Sequence, residues 1–117
     1  MNETEFKART KRLALSILGL VETMPKRTTA QVIGRQLLRC GTSVGANYRA
    51  ACRSKSTLDM LAKLAIVEEE ADEALYWLEL AVESVMLPSS AALGVTKETE
   101  EILAMTVASM KTLRSKR

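Results

Sequence analysis

The chain contains no histidine, and its aromatic content is only 3%. Without histidine there is no Ser-His-Asp triad, no HExxH zinc site and no Glu-x-x-His set of the kind that holds di-iron in helical bundles. A phosphate loop is missing too, because "GTSVG" lacks the Lys-Ser/Thr that must follow and has no flanking strand. Cys40 and Cys52 fall about 120° apart on a helix, which rules out a bridge within it, and they lack metal-ligand spacing. They read as small buried thiols. Apolar runs such as "LALSILGLV" are far shorter than the roughly 18–20 residues of a membrane span, and "MNETEFKARTKR" lacks the order of a signal peptide. These absences lead us to expect a cytoplasmic, non-enzymatic protein with no cofactor, no metal, no membrane partner and no small-molecule substrate.

What is present favours helices. Hydrophobic residues make up 47% of 117 residues, and Leu, Ala, Glu, Lys and Arg dominate, which is a helix-forming composition of single-domain length (1–117). Phe6, Thr10, Leu13, Ile17, Leu20 and Met24 step by four and three, predicting a helix over about 3–23 that stops at Pro25. Thr28 with Gln31 resembles a capping box opening a second helix, about 29–52, with the seam Ile33, Leu37, Cys40, Val44, Asn47 and Ala51. Ser56 with Asp59 repeats that signature before a third helix, about 57–86, whose seam runs in heptad steps from Met60 to Val85. Pro88 and Gly94 bracket an expected loop, and Thr96 is the expected cap of a fourth helix, about 96–115, ahead of the basic tail "RSKR". Short links force antiparallel neighbours, so the predicted fold is all-α, an up-down-up-down four-helix bundle.

Helix three carries a second apolar stripe, Leu58, Ala62, Ala65, Tyr76 and Leu80, which is a candidate subunit interface. Asn47 on the seam of helix two is a buried polar position that requires a hydrogen-bond partner, expected on a neighbouring helix. Gly41 and Gly45 share a side where missing Cβ atoms allow helices to approach closely.

Charge is distributed in blocks. Residues 26–58 hold seven basic side chains and no acid, whereas residues 59–83 hold eight acids against Lys63 alone. Arg35, Arg39, Arg49 and Arg53 fall within a sector of roughly 80° facing away from the seam. Antiparallel counting sets Arg39 level with Asp72 and leaves Arg49, Arg53 and Lys55 with Asp59 as the only nearby acid. Two readings stay open: Lys26, Arg27, Arg49, Arg53 and Lys55 bind RNA or DNA backbone without sequence preference, or the charge blocks pair with each other in a protein-interaction scaffold.

"QLLRCGTSVGANYRAACRSKS" followed by "KLAIVEEEADEALYWLEL" resembles the core of the bacterial four-helix-bundle family named for proteins encoded in 23S rRNA intervening sequences. It is similar, more distantly, to the accessory variability proteins of diversity-generating retroelements. The matching features are Gln36-Leu37 with Arg39, Ser43-Val44 with Asn47, Arg53 with Ser56, and the stretch from Glu69-Glu70 to Leu78-Glu79-Leu80. Where many members read Asn-Ile-Ala-Glu-Gly, this chain has Asn47-Tyr48-Arg49-Ala50-Ala51, losing an acid and a glycine and adding the charge of Arg49. The resemblance implies a homo-oligomeric, typically pentameric, ring of bundles without catalysis, and nucleic-acid binding chiefly in the retroelement relatives.

Overall fold

The computed structural model describes residues 2–116; Met1 and Arg117, the last residue of the basic tail, lie outside them. Four helices, α1 (Glu3–Glu22), α2 (Thr28–Cys52), α3 (Thr57–Glu83) and α4 (Ser89–Ser115), form an all-α bundle with extents of 48 × 22 × 21 Å. Each packs on its chain neighbours, α4 returns to α1, and the diagonal pairs stay apart. As α1 rises from Arg9 to Ser16, the α4 residues lining the same cleft descend from Glu98 to Ala91, so these two helices also run antiparallel.

The periodic positions form the core. Phe6, Thr10, Leu13 and Ile17 of α1 are buried, as are Leu37, Cys40, Val44 and Ala51 of α2 and Leu64, Val67, Ala71, Ala74, Leu78 and Ala81 of α3. The buried hydroxyls of Thr10, Thr99 and Thr106 donate to carbonyls on the preceding turn, which satisfies them inside an apolar core. Glycine matters most at Gly41: a Cβ there would stand 2.5 Å from Cδ1 and 3.0 Å from Cγ2 of Ile17, so its absence is what lets α1 and α2 approach.

Five expectations change. Helix four begins at Ser89, with Pro88 as N-cap; no loop spans Gly94, and Thr96 lies inside the helix. The Pro88 carbonyl accepts from the amides of Ala91 and Ala92, and buried Leu87 and Ala92 anchor the turn. One interior glycine costs about 1 kcal/mol, less than leaving a run of backbone groups unpaired. Helix two is capped by Arg27 without a side-chain bond, so Thr28 and Gln31 make no capping box; burial of Ala30 sets the register instead. Ser56, by contrast, does accept from the Asp59 amide at 3.0 Å. On α3, Leu61 is buried in place of Met60, which is only half-buried. Asn47 is half-buried and bonds to Ser43 one turn back, through both the carbonyl at 2.9 Å and Oγ at 2.8 Å. Among the described residues it has no partner across the bundle, because the buried face of α2 is centred on Gly34, Gly41 and Val44, leaving Asn47 on its shoulder.

The fifth change is at Val85. Helix three ends at Glu83 rather than 86, and Val85 stands at φ 62°, 82% exposed. Its amide bonds to the Val82 carbonyl and the Met86 amide to the Ala81 carbonyl, which is a Schellman motif with valine where glycine is normal. A β-branched residue in the left-handed region costs about 1–2 kcal/mol. Val85→Gly is therefore expected to stabilise the fold by about 1 kcal/mol, a rise of about 4 °C in thermal midpoint by circular dichroism. A lowered midpoint would show that the valine side chain contributes to packing.

Candidate nucleic-acid interface

Antiparallel packing turns the linear charge blocks into two charged halves. The start of α1 (residues 2–12), the end of α2 with the start of α3 (45–66) and the α4 residues level with them (98–116) meet at one end, with eleven Lys or Arg against six acids, Glu3, Glu5, Asp59, Glu98, Glu100 and Glu101. The remaining described residues hold five Lys or Arg against eight acids. The helices thus build one basic and one acidic half from a chain whose net charge is only +3.

At the basic end a shallow groove of about 320 Å³ runs between α1 and α2, lined by Lys7, Lys11, Thr42, Gly45 and Arg49 among others. Its floor is low because Gly45 has no side chain, and a Cβ there would lie 3.2 Å from the Thr10 hydroxyl. Lys7 pairs with Glu3 at 2.9 Å; Lys11, Arg49, Arg53 and Lys55 are exposed and, among the described residues, make no salt bridge. Cations that are solvated and unpaired keep their charge available to phosphate oxygens.

Other arginines are committed to the protein. Arg39 was expected level with Asp72; it instead reaches Glu70 at 2.9 Å and also Glu73. The Glu73 carboxylate further accepts from the buried Cys40 thiol at 3.1 Å and from the Trp77 indole at 3.4 Å. The thiol, the indole and the guanidinium together hold Glu73 below the usual carboxylate range. Burial, aided by the bond to Glu73, pushes Cys40 up to about 12, so it is an unreactive neutral thiol. Arg9 bridges Glu98 at 2.6 Å and Glu101 at 2.8 Å and fastens α1 to α4.

Of the cations expected to act together, Arg49, Arg53 and Lys55 share the basic end, whereas Lys26 and Arg27 sit at the far end of α2, about 33 Å away by helix rise. They form no single site. Lys7 and Lys11 were missed: "KARTKR" lies in a different helix from the basic block and joins it only when α1 is counted antiparallel to α2. Of the second stripe on α3, Leu58, Ala62 and Tyr76 are exposed, while Ala65 and Leu80 are half-buried. Among the described residues, no group of three or more His, Cys, Asp or Glu is placed to hold a metal, and no helix is long and apolar enough to cross a membrane.

A family model described as 23S rRNA-intervening sequence protein matches residues 2–108. The chain belongs to this family. A solved structure from Bacteroides thetaiotaomicron, a protein of unknown function from the S23 ribosomal protein family, superposes on this intervening-sequence protein with a TM-score of 0.87. The two are 30% identical over 95% of this chain and 99% of that one. No curated protein matches it. The family description names no reaction.

Proposed function

We propose that this intervening-sequence protein is a non-enzymatic helical protein that binds the phosphate backbone of RNA or DNA at the basic end of its bundle. Arg49, Arg53, Lys55 and Lys11 make the contacts, with Lys7 beside them. The observation that carries this reading is the gathering of unpaired cations from α1, the end of α2 and the turn after it at one end, opposite an acidic half. Exposed point charges without an aromatic platform contact phosphates rather than base edges, so binding is electrostatic and indifferent to sequence. If several copies assemble, their patches add through effective concentration.

A second reading, a protein-interaction scaffold without nucleic-acid binding, draws on the pairing of Arg39 with Glu70 and Glu73, where a cation of α2 is already neutralised by α3. Anisotropy titration of a labelled single strand and a duplex at about 50 and about 200 mM salt separates the two. Backbone binding predicts similar affinity for unrelated sequences and a loss of at least tenfold across that range. No binding at low salt leaves the scaffold.

A further inference from the structure

Helices α1 and α4 are bolted together at Arg9, which bridges Glu98 and Glu101 and also rests its guanidinium on the Met105 sulfur at 3.2 Å. Beyond that bolt, toward the basic end, the α4 residues along the gap are small, Ala108, Ser109 and Thr112, and they leave it unfilled. The result is a cavity of about 430 Å³, within the size range of small-ligand pockets. Phe6, Tyr48, Met60, Leu64 and Met105 wall it. The Phe6 and Tyr48 rings pack with centroids 4.5 Å apart and form a stiff wall, whereas the two methionines are unbranched and adapt to whatever lies against them. No Lys, Arg, Asp, Glu or Cys lines the cavity, so nothing inside it can compensate a buried charge.

The polar groups stand at its mouth. Ser109 and Thr112 are exposed, and Lys116, four residues beyond Thr112, continues the same face of α4. Lys116 is exposed and, among the described residues, makes no salt bridge. On the α1 side, Glu3 pairs with Lys7 and Glu5 accepts from the Asn2 amide at 3.1 Å. An apolar interior below two hydroxyls and an ammonium has the polarity of an amphiphile.

We propose that this cavity binds a single-chain amphiphile with an anionic head, of the fatty-acid class. The chain lies among Phe6, Tyr48, Met60, Leu64 and Met105. The carboxylate stays at the mouth, where it accepts from the Ser109 and Thr112 hydroxyls beside the Lys116 ammonium. The surrounding end of the bundle, with eleven Lys or Arg against six acids, favours an anionic head over a cationic one. The occupant is a ligand rather than a substrate, because no carboxylate, amine or thiol lines the cavity to act on it. Neither the cavity nor Lys116 belongs to the proposed nucleic-acid interface, so the two readings stand or fall separately.

Calorimetric titration without nucleic acid tests it, using hexanoate, octanoate and decanoate below their micelle concentrations. Each buried methylene is expected to tighten binding about three- to fourfold, so affinity rises about tenfold for every two carbons. Decanoate is expected to bind at least tenfold more tightly than decyltrimethylammonium, whose head carries the opposite charge. Ser109→Trp, which sets a large side chain at an exposed position of the lining, is expected to weaken decanoate at least tenfold. Lys116→Glu is expected to weaken decanoate at least fivefold and to leave decanol, which has no charge, unchanged. Should Ser109→Trp lose helicity by circular dichroism, Thr112→Trp replaces it. No binding of millimolar decanoate by wild type, an affinity that does not grow with chain length, or a tryptophan variant that binds like wild type overturns the proposal. Equal affinity for decanoate and decyltrimethylammonium overturns its anionic head.

Discussion

Reversing Arg49 and Arg53 to Glu is expected to abolish oligonucleotide binding at about 50 mM salt while leaving the helical content and thermal midpoint of the bundle close to wild type. Both residues are exposed and make no salt bridge among the described residues, so their reversal removes no internal bond. Each phosphate contact adds close to one unit to the dependence of log affinity on log salt. Turning two contacts into repulsions therefore costs more than a hundredfold in affinity and flattens that slope. Reversing Arg35 and Arg39 is expected to do the opposite. Arg39 is bonded to Glu70 and Glu73, and a third carboxylate beside them destabilises the α2–α3 contact by about 1 kcal/mol, while binding falls by only a few-fold through the change in net charge. Parallel anisotropy and thermal-melt series on the two double variants check the contrast. Equal losses of binding would mean that the cations act as a diffuse field rather than as a site.

Gly41→Ala is expected to change sign with its neighbour. In the wild-type background the new methyl meets Ile17, which is 0% exposed, at distances that demand movement of Cγ2 as well as the terminal Cδ1. Overpacking of this kind costs about 1–3 kcal/mol, more than the roughly 1 kcal/mol of helix propensity that alanine contributes. Ile17→Ala alone costs about 2–5 kcal/mol through the cavity it leaves. In that background Gly41→Ala has room, and the propensity gain makes it stabilising by about 1 kcal/mol. Urea unfolding of the four proteins gives a coupling of about 1–3 kcal/mol, the overpacking cost itself, if α1 and α2 pack as described. Additive effects would show that α1 and α2 do not meet at these residues.

The four helices were legible because apolar residues recur with helical period on each. That period reports burial directly, and it correctly placed Ile17, Leu37, Leu64 and Leu78 in the core. Helix ends were harder to read. The turn after α3 depends on a left-handed Val85, and nothing in a valine signals that conformation, whereas Gly94 has the residue type of a helix stop and sits inside α4. Asn47 was found, but its partner was not: Ser43 one turn away satisfies it within α2, a local bond that competes with any cross-helix one. The candidate site was half legible. Arg49, Arg53 and Lys55 fall within seven residues of sequence, but Lys7 and Lys11 join them only through tertiary packing, and the same packing carries Lys26 and Arg27 away.

Lysine footprinting tests the placement of the nucleic-acid interface most directly, because lysines occur at both ends of the molecule. The protein is acetylated with and without a saturating single-stranded RNA at low salt, and each lysine is quantified by mass spectrometry. The interface described here predicts protection of Lys11 and Lys55, with Lys26 and Lys97 modified as in the free protein. Protection of Lys26 with Lys11 and Lys55 unchanged, or no protection anywhere, would contradict it.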